Sequence, residues 1–200
     1  MIFTLFGFSF INFKTTRYAT APSPGGVPVL SFELVEKSKE AREGLDDIIV
    51  WHTFSEAVAL SKKNPKKMFI DIFTEWCGWC KKMDASTFKD AKITKLMNKY
   101  FYAVKLDAEM KDSVKFQDHV FKNPDPAGRR STHELAVSLL NGQMSYPTAV
   151  FMDEKYGIIT PLPGYQTAEG LEPILVFIGE NKYADTKWED FIKTYKPTGN

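Results

Sequence analysis

Asp71-Ile72-Phe73-Thr74-Glu75-Trp76-Cys77-Gly78-Trp79-Cys80-Lys81-Lys82-Met83 holds both of the chain's cysteines, two residues apart. The alternating apolar run Met68 to Phe73 predicts a buried strand, and after Cys77 the sequence turns charged and helix-compatible. The pair therefore falls where a strand gives way to a helix. The free N–H groups and positive dipole end of a helix stabilise an anion, which lowers the pKa of a thiol placed there. Cys77 is the expected attacking thiolate, held at the surface, and Cys80, one helical turn further in, the expected resolving thiol.

Three chemistries compete for such a pair. A structural bridge is weakly motivated, because a loop of two intervening residues constrains little of the unfolded chain. A metal site normally wants four ligands. Besides the cysteines there are His52, His119 and His133, none at metal-ligand spacing to each other, so no metal is expected. Dithiol–disulfide exchange needs one thiolate to attack and a second thiol within reach, which the spacing supplies.

Asp71-x4-Trp76-Cys77-Gly78-x-Cys80-Lys81 resembles the thioredoxin active-site stretch, and Tyr146-Pro147-Thr148 resembles that family's cis-proline loop. The run Trp76 to Met83, followed by Thr87-Phe88 and a Lys-rich helix, is closer still to bacterial exported thioredoxin-like proteins and the soluble reducing domains related to them. The resemblance covers residues 48–183. It implies an α/β thioredoxin-like fold, a central mixed β-sheet flanked by helices, with a helical insertion at about 108–142 before the cis-proline loop. It also implies thiol–disulfide oxidoreductase activity on disulfide-bearing protein substrates, in the reducing direction. No cofactor is expected, and a membrane or thioredoxin-type partner would donate the electrons.

By the same resemblance, Asp71 is a buried carboxylate of raised pKa that takes or gives the proton of Cys80. Trp76, Gly78 and Trp79 border the substrate, Gly78 by permitting a tight turn. Tyr146 offers backbone hydrogen bonds to an extended chain, and Pro147, lacking an N–H, leaves room for the sulfur. Trp79 departs from the proline of typical thioredoxins, so the reduction potential does not carry over. Lys105 stands where the family has a lysine near the acid, and a plain exposed strand residue fits it too. A thioredoxin-like binding module without redox turnover is the alternative function.

Composition narrows the partners. Two hundred residues, 44% hydrophobic and 14% aromatic, suffice for one well-cored domain with trailing sequence. With 26 basic and 25 acidic residues the formal charge is +1, so no long-range field draws in nucleic acid or an anionic membrane. Residues 2–13 are almost wholly apolar, too short to span a bilayer but matching the core of a signal peptide, with Ala19-Thr20-Ala21 as a cleavage motif. No Lys or Arg precedes that run and Pro22 follows the cut, so an apolar tail or anchor fits the same residues. The signal reading over residues 1–21 places the protein outside the cytoplasm, in the periplasm, with a role in redox homeostasis. Residues 22–47 read as a linker and charged lead-in, and 48–200 as the domain.

Within that domain, Thr53-Phe54-Ser55-Glu56 is a capping box for a helix that Asn64-Pro65 stops. Asp90 caps a second helix, whose apolar residues Ile93, Leu96, Met97 and Tyr100 follow helical spacing. A strand over 102–107 comes next. Met110 to Phe121 is expected to be helical, and Ser131-x-x-Glu134 to start a further helix, with His133 in a solvated or capping role. Residues 148–153 and 157–160 read as an antiparallel pair. Thr167 opens one more helix, and Thr186-x-x-Glu189 caps the last.

Overall fold

A computed structural model describes residues 48–197. The signal-peptide, tail and linker expectations for 1–47 lie outside the described residues. The layout is built on β2 (Lys67–Phe73), buried at every position except the partly exposed Phe73. Its near-continuous apolar run is what a strand covered on both faces requires. On one side β2 pairs with parallel β3 (Phe101–Asp107), on the other with antiparallel β6 (Thr148–Met152). Short β1 (Trp51–His52) lies parallel to β3, and β7 (Ile158–Pro163), which contains Pro161 and Pro163, lies antiparallel to β6. The result is a five-stranded mixed sheet of order β1-β3-β2-β6-β7. The described helices are α1 (Phe54–Lys63), α2 (Gly78–Ala85), α3 (Ala91–Tyr100), α4 (Glu134–Leu139), α5 (Ala168–Gly179) and α6 (Trp188–Thr194). None is long and apolar enough to cross a membrane.

Because side chains alternate along a strand, β2 feeds two cores. Met68, Ile70 and Ile72 pack with Phe54, Ala57 and Val58 of α1 and with Leu135 and Leu139 of α4. Phe69, on the other face, joins Met83 of α2, Ile93 and Met97 of α3, and Leu171 and Leu175 of α5. Its ring meets those of Phe88, Phe101 and Phe151 at 5.9, 6.5 and 5.2 Å. Asp71, two residues further along, shares that second face.

Helix starts follow the sequence where a side chain is free to cap. Thr53 and Glu56 form the reciprocal box on α1, Asp90 accepts from the N–H groups of Lys92 and Ile93, and Thr167 accepts from Gly170. Two expected caps fail for a visible reason. The Ser131 hydroxyl is engaged with Asn123 Oδ1 at 2.6 Å, so α4 starts later, with His133 as its cap. Thr186 bonds Asp185 instead, and α6 begins after Lys187 with no side-chain cap.

The insertion is where the expected pattern is corrected most. The helix expected over Met110 to Phe121 is a hairpin, β4 (Val114–Phe116) and β5 (His119–Phe121), turning at Gln117 with φ +53°. Alternation wins over helical spacing here because it directs Val114 and Phe116 into the first core, where Phe116 meets Phe54 at 5.1 Å and Tyr156 at 5.3 Å. The insertion is thus part hairpin and part helix. Polar pins hold it. Buried Asn123 donates to the carbonyls of Met110 (3.0 Å) and Ser131 (2.9 Å). His133, also buried, accepts from the Leu135 N–H through Nδ1 (3.1 Å), and its Nε2 meets the Asp112 carbonyl at 3.1 Å. The capping half of the His133 expectation stands, and the solvated half does not.

Burial holds the His133 imidazole below the usual histidine range, and a proton on Nδ1 would displace the Leu135 N–H. The unfolded imidazole protonates at about pH 6.5, so the unfolded chain binds the proton first as pH falls. Stability is therefore lost from about pH 6.5 down toward the depressed folded value. Between about pH 7 and about pH 5.5 the urea midpoint of the wild type should drop further than that of His133→Asn. Equal drops would remove His133 as the source.

Candidate active site

The chain leaves β2 at Phe73 and enters α2 at Gly78, and Cys77 is the cap between them. The Cys77 N–H donates to the Thr74 carbonyl (3.1 Å), and the Cys77 carbonyl accepts from Lys81 (3.2 Å). Cys77 Sγ accepts from the Cys80 N–H at 3.1 Å. One sulfur is thus set against the N-terminal N–H groups of a helix, as the strand-to-helix reading requires. The two cysteines are joined in a disulfide, with Cα atoms 5.3 Å apart. In this oxidised state both are buried, Cys77 at 5% and Cys80 at 2% exposure. Cys77, expected to hold its sulfur at the surface, is thus buried in this state.

Two indoles flank the disulfide, Trp76 at 50% and Trp79 at 58% exposure. Trp76 donates its Nε1–H to Glu109 Oε1 (2.9 Å), meets the Tyr146 ring edge-on at 6.0 Å, and carries the Arg130 guanidinium 4.8 Å from its ring centre. Trp79 leans on Tyr165 at 5.5 Å beneath the Lys82 ammonium, 4.8 Å from its ring. The Tyr146–Pro147 bond is cis, as the resemblance implied. Pro147 is buried, and its carbonyl accepts from the Gly164 N–H at 2.8 Å, which ties the loop to the end of β7. The Trp76–Tyr146 contact brings two distant stretches of chain to one place. Gly78 needs correction: it makes no tight turn but opens α2, and a Cβ there would meet nothing within 4 Å.

Asp71 is 1% exposed. Its register partner on β3 is Lys105, whose ammonium lies 2.6 Å from Asp71 Oδ2 and also contacts Asp84 of α2. The rings of Trp51, Phe73 and Phe88 surround that ammonium at 4.8, 5.2 and 5.1 Å. Lys105 is therefore the tether of the buried acid rather than a plain strand residue. Burial pushes the Asp71 carboxyl above the usual carboxylate range, against the opposing pull of Lys105. Asp71 Oδ1 and Thr74 Oγ1 are buried with no hydrogen-bond partner. A cavity of about 400 Å³ is bounded by Thr74, Cys80 and Asp84. Glu75 and Lys81 are exposed. The histidines stand elsewhere: His52 packs edge-on against Tyr102, and His119 faces Glu134. Among the described residues, no group of three or more His, Cys, Asp and Glu is placed to hold a metal ion.

Four neighbours of the site were missed by sequence reasoning. Asp84, four residues after Cys80, had a local signal, since that spacing puts both on one helical face. Tyr165, Glu109 and Arg130 had none, because only the folded loops bring them to the tryptophans.

Residues 34–168 match the sequence model of the Thioredox_DsbH family, described as a protein of unknown function, DUF255. An uncharacterized protein of Caenorhabditis elegans is 30% identical over 80 residues, 40% of this chain and 11% of that protein. Spermatogenesis-associated protein 20 of Mus musculus is 27% identical over 102 residues, 50% of this chain and 13% of that protein. The match thus spans 11% and 13% of the lengths of these two curated relatives. A thioredoxin-fold protein from Helicobacter pylori, 22% identical, superposes with a TM-score of 0.51 over 78% of this chain and 91% of its own, which shows the same fold. That fold, carrying a Cys-x-x-Cys pair at disulfide distance, is a frame for thiol–disulfide redox chemistry, and with more than half its residues matched the chain belongs to the DsbH-like thioredoxin family, DUF255.

Proposed function

We propose that the protein is a thiol–disulfide oxidoreductase that reduces disulfides in protein substrates through Cys77 and Cys80. The observation that carries this reading is the capping position of Cys77, its Sγ against the Cys80 N–H at the start of α2. In the dithiol state the helix terminus favours the Cys77 thiolate over the thiol. That thiolate attacks one sulfur of a substrate disulfide, a mixed disulfide forms, and the second substrate sulfur leaves as a thiolate. Cys80 gives its proton to the Asp71 carboxylate and attacks Cys77 Sγ. The substrate departs with both sulfurs reduced, its two thiolates protonated at the expense of Asp71 and water, and the Cys77–Cys80 disulfide remains, two electrons having passed to the substrate. A membrane or thioredoxin-type donor restores the dithiol. Desolvation makes Asp71 a stronger base than an exposed carboxylate, which suits it to this transfer. Trp76 and Trp79 offer flat apolar faces to the incoming chain, and the Tyr146 backbone beside Pro147 offers hydrogen bonds. The apolar run over residues 2–13 supports an exported, periplasmic setting.

Cys77→Ser should abolish turnover of disulfide substrates, and Cys80→Ser should accumulate mixed disulfides visible on non-reducing gels. A Cys77→Ser protein that retained its partner affinity and its cellular effect would establish the binding-module reading instead.

Asp71 gives a second check with opposite signs on stability and rate. Its folded pKa is raised, so its contribution to stability is full below the unfolded value near pH 3.9 and is lost as pH rises through the folded value. Asp71→Asn removes the buried ionisation while Lys105 keeps Asp84. At neutral pH its urea midpoint should exceed that of the wild type, while turnover falls on the order of a hundredfold. A variant that is less stable at neutral pH, or as fast as the wild type, would count against Asp71 as the base.

A further inference from the structure

The Trp76 indole is held on three sides. Glu109 takes its N–H at 2.9 Å, the Tyr146 ring meets it edge-on at 6.0 Å, and the Arg130 guanidinium covers one face at 4.8 Å. The cation on Trp79, by contrast, is Lys82 of the same helix. Arg130 reaches Trp76 from the segment between β3 and α4, so the insertion is coupled to the residue preceding the attacking cysteine.

The backbone at Arg130 supports the same point. Its φ of +60° is left-handed, a region that non-glycine residues enter at a cost and that gathers at functional positions. The other non-glycine residues at positive φ among those described, Gln117, Asn141, Tyr156 and Asn181, close hairpins or follow helices. Arg130 does neither. Next to it, Ser131 is bonded to Asn123 through both its carbonyl and its hydroxyl, which anchors the strained residue to the core of the insertion.

Between Trp76 and the insertion lies an open cleft of about 580 Å³, walled by Glu75, Asp107, Glu109, Arg129 and Arg130 as well as the indole. Its walls carry both signs of charge, with Trp76 and Met110 as apolar residues among them. Such a cleft suits a polypeptide, with its alternating donors, acceptors and mixed side chains, better than a small apolar ligand. Its Trp76 wall directly precedes Cys77 in the chain and meets the ring of Tyr146, the residue before the cis-proline, at 6.0 Å.

We propose that Arg130 is a positioning residue that fixes Trp76 as one wall of this cleft, making the insertion the part of the protein that recognises the substrate chain flanking the disulfide. The inference rests on the exchange reading above. Arg130 touches no reacting atom, so it acts on substrate binding and not on sulfur chemistry. A cation over an exposed or partly desolvated indole is worth roughly the free energy of a three- to tenfold change in affinity.

The test compares insulin as a protein disulfide with oxidised glutathione as a small one. Arg130→Ala should raise KM for insulin about three- to tenfold with kcat unchanged, and leave the rate with oxidised glutathione as in the wild type. Arg130→Lys, which returns a cation to the indole, should recover most of the loss. Should Arg130→Ala not fold, Arg130→Gln keeps length and polarity without the charge, and the same rise in KM is expected of it. An unmoved insulin KM in an active protein overturns the proposal, and so does an equal loss on both substrates, which would mean that the disulfide itself was disturbed. A wild type that does not favour insulin over glutathione also overturns it. A wild type inactive toward both would instead bring down the exchange reading, and this proposal with it.

Discussion

A carboxylate in the middle of a strand buried on both faces must be neutral or paired, and the contact between Asp71 and Lys105 answers that demand. The ammonium also meets Asp84, so one charge joins β2, β3 and α2. Sliding β3 by one residue along β2 would send Lys105 to the opposite face of the sheet and leave Asp71 alone among Phe69 and Ile93. The pair therefore specifies register more than it adds stability. Register in turn fixes where β2 ends and where the first turn of α2 presents its two sulfurs. The acid proposed to take the proton of Cys80 is also the residue that aligns the scaffold.

The parts of the fold legible from sequence are those governed by neighbours in sequence. β2, the cap on α3 and the box on α1 depend on residues within a turn or two of one another, and the structure reproduces them. So does the Cys77–Gly78–Trp79–Cys80 junction. The failures share one cause. Ser131 and Thr186 carry capping side chains, but each spends its hydroxyl elsewhere, on Asn123 and Asp185. The segment 110–121 reads as helix by local composition, yet the open face beside Phe54 and Tyr156 rewards alternation and draws it into a hairpin. Lys105 was ambiguous for the same reason. Its role depends on a partner strand and on a helix one crossover away.

The two indoles show how a short motif acquires a setting. Trp76 and Trp79 are both exposed apolar surfaces next to a disulfide, and each stacks on a tyrosine from a loop and under a cation. Trp79 takes its cation, Lys82, from its own helix and its tyrosine, Tyr165, from the loop after β7. Trp76 depends on Glu109 and Arg130 of the insertion and on Tyr146 of the cis-proline loop.

The placement of Pro161 and Pro163 on β7 reaches beyond the site. β7 is the outermost strand on its side of the sheet, and its free edge would otherwise invite the edge of a second molecule. Proline has no amide hydrogen to donate, so two of them in a six-residue edge strand spoil the ladder that a stacking neighbour would need. This border of the described sheet is thereby closed to the strand edges of neighbouring chains, so one copy does not template onto the next.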